Sequence, residues 1–587
     1  MNDRQHFYVP KSTGTLTDTL IAFGLAKVLG KFLEDANVST TVTLQDSGGY
    51  YIVDTGTPIR DEWIEQARPF ETIAFVTGRK FPVPADLPGI RTRDVDATWD
   101  RFKSFVARQQ ELRAEKVAGA ELEQATADLR PPDDWTVVTY LGDYRMQAQG
   151  IHNELVERWL RSGEKHTPLN IRTLLALFAD PLADQEAVAA DWKAATKETD
   201  FADSVTASQL FNPHMGKGQN RSKANKLTMG NEKSFWMLEY LKAVGLWMAC
   251  APTATTNANL RKTYVLAPQS LELAYHQRVF ARFRERLWNE GAVKQDIVAV
   301  LLYTEILLEQ SIADDNLDIF DDGSIANVVK GMNVATYQLL SANSYTTMNL
   351  SFLGLPDWMP SIQTAVDAGE YIEILQEHRE RIRAIDEATS EGYALLQLYR
   401  DFVSGNYIEA FFEFLADYSS YLISAIDKGN FFVRPFSETN LRRLFTMTEP
   451  KLSAILEDEG FRNIAYAIRM STLVPLYVGR GKSRFDIRYG LGQELKRHAQ
   501  YADEFAQALG DFMQNYNDET MRVHERTKGS ARRKMITTQD IEAVVKLIDR
   551  FGSKTVCNLL VAFGYARDPR ERSEDEAAMT GESEPAA

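Results

Sequence analysis

From about residue 150 to residue 565, apolar side chains return every three or four positions, the repeat of helices that each turn one face toward a core. The spacing predicts helices over 271–288, 293–308, 368–385 and 393–426. The stretch 234–248 is apolar on most faces and is predicted to be buried. Local signals sharpen the C-terminal end. Thr537 precedes Asp540 by three residues, the spacing of a capping box. Ile541, Val544, Val545 and Ile548 then share one face, and Gly552 suits a C-terminal cap. Ser553 can cap a following helix that carries Val556, Leu559 and Leu560. A long helical stretch is expected over 491–523. No internal repeat of the solenoid kind is present.

The N-terminal part reads differently. A helix is predicted over 18–32, with Leu20, Phe23, Leu25, Val28, Leu29 and Phe32 on a broad apolar face. Strands are predicted over 40–44 and 50–53, around the turn Asp46-Ser47-Gly48-Gly49. Residues 71–77 and 263–266 are further strand candidates, and 99–116 reads as a charged, exposed helix. The 587 residues allow about three to five domains at roughly 100–200 residues each. The expected fold is mainly α with an α+β N-terminal part and a C-terminal helical bundle. Residues 1–200 are assigned to an α+β domain and 201–436 to a helical central domain with a basic loop at 212–226. Residues 437–566 are assigned to a helical bundle. The acidic segment 567–587, poor in apolar residues, is expected to be disordered.

Several chemistries are disfavoured. The only cysteines, Cys250 and Cys557, lie far apart, so neither a disulfide nor a zinc framework is encoded and a reducing compartment is expected. The first residues hold no apolar signal core, and the most apolar helical stretch, 235–251, contains Glu239 and Lys242 and is too short to span a bilayer. A cytoplasmic protein with no membrane partner is expected. Gly481-Lys482-Ser483 resembles the end of a phosphate-binding loop, but the position that needs the first glycine is Leu476, and Pro475 sits in the strand-like lead-in 473–478. Asp314, Asp315, Asp318, Asp321 and Asp322 lack the alternation of a calcium loop and read as a solvated loop that caps helices. No two histidines stand at metal-ligand spacing, and no Gly-x-Ser-x-Gly elbow occurs. No catalytic residue, metal or cofactor is assigned, and the expectation is a chain that is not an enzyme.

The net charge of −16 weighs against nucleic-acid binding as a whole-chain property, but binding follows the local field. Cations gather in three places. The first is FNPHMGKGQNRSKANK, residues 211–226, where Lys217, Arg221, Lys223 and Lys226 stand with no acid among them. Gly216 and Gly218 let the backbone come close to a ligand, and Asn212, Gln219, Asn220 and Asn225 supply amides. The second group is Arg480, Lys482, Arg484 and Arg488; the third is Arg526, Lys528, Arg532, Arg533 and Lys534. Both can contact nucleic acid, or can simply be exposed helix ends. Tyr489 and Phe485 are candidates for stacking on a base, with burial in the bundle the favoured role for Phe485.

Three segments carry a resemblance. YVPKSTGTLTDTLIAFGLAKVL with TLQDSGGYYIV, NPHMGKGQNRSKANK with FWMLEYLKAVGLW, and RRKMITTQDIEAVVKLIDRFGSKTVCNLLVAFGYAR are similar to the large subunit of the type I CRISPR surveillance complex, Cascade, of the I-A/I-B kind. The resemblance implies a DNA-recognition subunit of an antiviral ribonucleoprotein complex. Such a subunit reads the protospacer-adjacent motif while a guide RNA reads sequence by pairing. It steadies the strands of the R-loop and offers a docking site to a nuclease-helicase, with no catalytic residues of its own. Its implied partners are guide RNA, target DNA, the other Cascade subunits and the nuclease-helicase. Its C-terminal bundle, here 437–566, would resemble the small subunit and line a groove for DNA strands. The competing readings are a nuclease or nucleotide-handling enzyme with a site assembled from scattered carboxylates, and a helical scaffold that binds only proteins.

Overall fold

The computed structural model describes residues 4–567 other than 68–71, 88, 116, 118, 198–201, 215–232, 257–258, 321–322, 343, 357, 359–360, 406–407 and 480–481. The chain is mainly α with an α+β N-terminal part, as its periodicity requires. It forms two compact units: residues 1–292 with 313–355, and residues 293–312 with 356–587. The borders expected at 200 and 436 are therefore not where the packing divides.

In the first unit, two four-stranded antiparallel sheets flank a helical core. One orders its strands Arg4–Pro10, Tyr50–Ile59, Thr43–Asp46, Ser270–Glu272. The turn expected at 46–49 joins its Thr43–Asp46 and Tyr50–Ile59 strands. The other orders Ser344–Gly354, Val329–Ser341, Leu260–Pro268, Cys250–Ala254, so the segment expected to be a helical central domain supplies a sheet instead. The helix Leu16–Asp35 is buried on nearly every face, including all six of its predicted apolar residues. It crosses the buried helix Trp236–Ala249 at two reciprocal glycines. A Cβ on Gly24 would lie 2.0 Å from the Leu241 carbonyl oxygen, and one on Gly245 would lie 2.0 Å from that of Leu20. The two backbones touch because neither side chain exists. The helix Val95–Ala114 is largely exposed, as its charge pattern predicts, and buries Phe105 against Trp288.

The second unit is helical. The helix expected over 293–308 is Ala292–Ala313, and it is buried along almost its whole length. Its two buried acids are met by cations from later helices. Glu305 is held by Arg379 at 2.8 Å and Asp296 by Arg400 at 3.0 Å. His378 sits in an aromatic core between Trp358, Phe411 and Phe436, sharing a 2.7 Å hydrogen bond with Tyr399. The border at 437 runs through this core. Phe411 and Phe412 meet Phe445, and the Phe436 carbonyl accepts from the Arg567 amide, so the 437–566 segment shares its interior with the helices before it.

The 393–426 stretch is two helices, Ser390–Val403 and Ile408–Asp427, and 491–523 is also two, Leu491–His498 and Ala502–Arg526. The 473–478 segment is a short helix, because a proline in a first turn forfeits no internal hydrogen bond. The Thr537–Asp540 capping box is present in both directions. Gly552, at φ +85°, occupies the cap position given to Ser553, whose hydroxyl instead donates to the Ala499 carbonyl at 2.8 Å. Asp314 pairs with Arg278 at 2.9 Å, and Asp321 and Asp322 lie outside the described residues. Among the described residues no helix is long and apolar enough to cross a membrane, and no group of side chains is arranged to hold a metal ion.

Candidate nucleic-acid interface

The first basic group hangs on a well-defined stem. Lys217, Gln219, Asn220, Arg221, Lys223 and Lys226 lie outside the described residues, but the stem on either side does not. Strand Ser204–Thr206 pairs with strand Lys233–Phe235, bringing the two sides together. Asn212, assigned to ligand contact, is only 1% exposed. Its amide nitrogen donates to Glu239 Oε2 at 3.0 Å, and its oxygen accepts from Lys242 Nζ at 2.7 Å. Lys242 also pairs with Glu239 at 2.6 Å. A buried ion pair needs its remaining lone pairs and protons satisfied, and Asn212 does this. It anchors the loop and touches no ligand.

The second and third basic groups, separated by 38 residues between Arg488 and Arg526, meet in the second unit. Arg526 donates from Nη2 to the Arg484 carbonyl at 3.1 Å. Beneath them Arg533, also assigned to ligand contact, has a side chain with no exposure at all. Its guanidinium lies between the rings of Tyr516, 3.9 Å away, and Phe485, 4.4 Å away. It pairs with Glu519 at 2.7 Å and donates to Thr520 Oγ1 and the Tyr516 carbonyl. The other oxygen of Glu519 accepts the Asp486 amide at 2.7 Å. Arg533 and Glu519 together therefore pin the 483–488 loop to the Ala502–Arg526 helix. Arg488 is partly withdrawn as well, 3.8 Å from Glu519 and 5.7 Å above Phe512. Phe485 is buried, as assigned.

What stays at the surface is a different subset. Lys482, Arg484, Lys528 and Arg532 are exposed and make no ion pair among the described residues. Arg480 lies outside the described residues. Lys534 turns away to Asn463, donating at 2.7 Å. The loop after the Ile408–Asp427 helix lies alongside, carrying Lys428, Phe431, Phe432 and Arg434. The Tyr489 hydroxyl donates to Asp427 at 3.0 Å, and the Phe431 ring lies 6.4 Å from that of Tyr477. Phe432 is 84% exposed, Phe431 55% and Tyr489 49%. Large rings this open are costly unless something covers them.

No protein-family model matches this chain, and no curated protein matches it either.

The aromatic half of the interface escaped the sequence reading. A signal was available in KGNFFVR, residues 428–434: two adjacent phenylalanines just past a glycine and between cations. Adjacent residues cannot both face one core from a helix. The two cysteines play no part. Both are buried, and burial pushes the Cys557 thiol up to about 12.

Proposed function

We propose that this chain binds nucleic acid as a non-catalytic subunit of an RNA-guided complex of the Cascade kind, with single strands lying along the second unit. One observation carries the reading: Lys482 and Arg484 are exposed without an ion pair in the loop that leads to exposed Tyr489, whose hydroxyl bonds Asp427 just before the segment that carries exposed Phe431 and Phe432. Cations that track phosphates, interleaved with rings that accept any base, are what strand binding without sequence preference requires. The 212–226 loop, four cations on a clamped stem, suits contact with duplex DNA near a flanking motif. A row of exposed apolar residues, Met348, Leu350 and Phe352, lies on the outermost strand of the second sheet. An open strand edge with such a row fits a chain that works inside a larger assembly, beside other subunits and a nuclease-helicase.

The test is binding of short single-stranded DNA by the full chain, followed by fluorescence anisotropy across a salt series. The double variant Lys482→Glu/Arg484→Glu is expected to weaken binding and to flatten the salt slope by about 0.7 for each phosphate that the protein no longer neutralises. Phe432→Ala is expected to cost about 1–3 kcal/mol with little change in slope. Unchanged affinity and slope in both variants overturn the assignment. Purified protein is expected neither to cleave DNA or RNA nor to hydrolyse ATP with magnesium or manganese. Robust turnover that one point mutation in this chain abolishes would refute the non-catalytic reading.

A further inference from the structure

A second cation-lined site lies in the same unit, in a cavity of about 360 Å³ beside the Glu459–Ser471 helix. Arg442, Arg462, Arg469 and Lys534 line it, with Glu438 as the one carboxylate among them. Glu438 is spent. One oxygen accepts from Arg442 at 2.9 Å and the other from Arg469. Those two guanidiniums are also tied to backbone: Arg442 to the Leu456 carbonyl at 2.8 Å, and Arg469 to that of Phe563 at 3.2 Å. They are fixed in place and keep the local field positive. Asp540, beyond Asn463, is occupied by Asn463 at 2.7 Å and by its capping box with Thr537.

Arg462 and Lys534 are different. Neither is ion-paired among the described residues. The Lys534 ammonium keeps one hydrogen bond, to the Asn463 side-chain oxygen, which leaves donors over. Two cations without an ion pair at one concave site, Lys534 also feeling the Asp540 carboxylate, match a dianion better than a monoanion, and a phosphate monoester carries about −1.5 to −2 at pH 7. Arg462 offers the planar fork that grips phosphate, and Lys534 offers a point charge. Phe461, Ala465 and Phe563 floor the cavity, and half-buried Tyr466 forms a wall for the rest of the ester. The volume lies at the small end of the roughly 300–1,000 Å³ range of small-molecule sites.

We infer that this cavity binds a phosphate monoester of nucleotide size, clamped by Arg462 and Lys534, carried either by a free mononucleotide or by the phosphorylated end of a strand. The site is independent of the strand-binding surface proposed above, since neither the 482–484 loop nor Phe431 and Phe432 line it.

The experiment uses the full chain with AMP, adenosine and inorganic phosphate in calorimetric titration, and with one oligonucleotide bearing a 5′-phosphate or a 5′-hydroxyl. AMP is expected to bind, adenosine at least about tenfold more weakly, and phosphate to compete, since charge-assisted hydrogen bonds carry the affinity. Arg462→Glu and Lys534→Gln are each expected to remove the preference for AMP over adenosine. Arg462 is exposed, so its variant should keep the parent melting temperature. Lys482→Glu/Arg484→Glu should leave AMP binding unchanged, which separates failure here from failure of the strand-binding reading. If the 5′-phosphate tightens oligonucleotide binding in the parent but not in Arg462→Glu, the strand end is the source. If only AMP discriminates, the free ester is. The inference is overturned if neither phosphate is preferred over its phosphate-free counterpart, or if the preference survives both substitutions.

Discussion

Two basic loops in this protein stand on buried ion pairs of different kinds. In the first unit, the base of the 212–226 loop is held by Glu239, Lys242 and the amide of Asn212, with Lys242 acting as a point charge that needs the amide to complete its shell. In the second unit, the 483–488 loop is held by Glu519 and Arg533, and the guanidinium is gripped by two aromatic rings as well as by its hydrogen bonds. A cluster of cations along the sequence mixes two jobs. Some members face outward, and others fasten the loop that presents them. Arginine suits the second job where rings are at hand, because its flat, weakly hydrated face can be stacked and desolvated.

Arg533→Ala removes one partner of a buried pair and its stacking on two rings, and is expected to destabilise the second unit by about 3–5 kcal/mol. Because two units give no single unfolding free energy, peptide-resolved hydrogen exchange is the measurement. Loss of protection should centre on the 483–488 and 502–526 segments, and protection there equal to the parent's would mean that Arg533 is dispensable. Acid should divide the units next. Burial pushes His152 and His276, both in the first unit, down to about 4, and His378, in the second, down to about 3. Below the unfolded value of 6.5, the unfolded chain takes up protons that these folded sites refuse. Stability therefore falls as pH drops from about 6.5 toward 4. At pH 5.5 each histidine costs on the order of 1 kcal/mol, so the first unit, with two of them, should lose more than the second to this cause. Equal losses in exchange-derived stability would contradict the burial assignments. Asn212→Ala leaves Glu239 and Lys242 each short of a partner and is expected to cost about 1–3 kcal/mol, localised to the loop stem. Smallest of the four, Thr537→Ala deletes half of a capping box and should cost about 1 kcal/mol, read as faster exchange in the first turn of the Thr538–Phe551 helix.

These expectations also mark what was legible in the sequence. The Thr537–Asp540 box was readable because its partners lie three residues apart and compete with nothing distant. The helix beginning near residue 16 and the hairpin at 46–49 were readable for the same reason. Arg532, Arg533 and Lys534 were not separable, since three adjacent cations look alike until the fold exposes the first, buries the second and turns the third into a cavity. The sheet strands at 329–354 were missed for a related reason. Their outer strand turns Met348, Leu350 and Phe352 to the surface, so apolar character there does not mark the inside. Asn212 was read as a reader of ligand because an amide beside a basic loop has the same letters whether it faces out or in.

The path of the chain between the two units has a consequence for how the protein is made. The Ala292–Ala313 helix belongs to the second unit, yet it leaves the ribosome before the first unit's last strands at 329–354. Its buried acid Glu305 waits for Gln376 and Arg379, 71 and 74 residues later, and Asp296 waits for Arg400, 104 residues later. At about 5–20 residues per second, that interval is roughly 4–20 s of synthesis. Through it the nascent chain carries a largely apolar helix whose acids Asp296 and Glu305 are unanswered, a surface for a chaperone to cover until the later helices bury it.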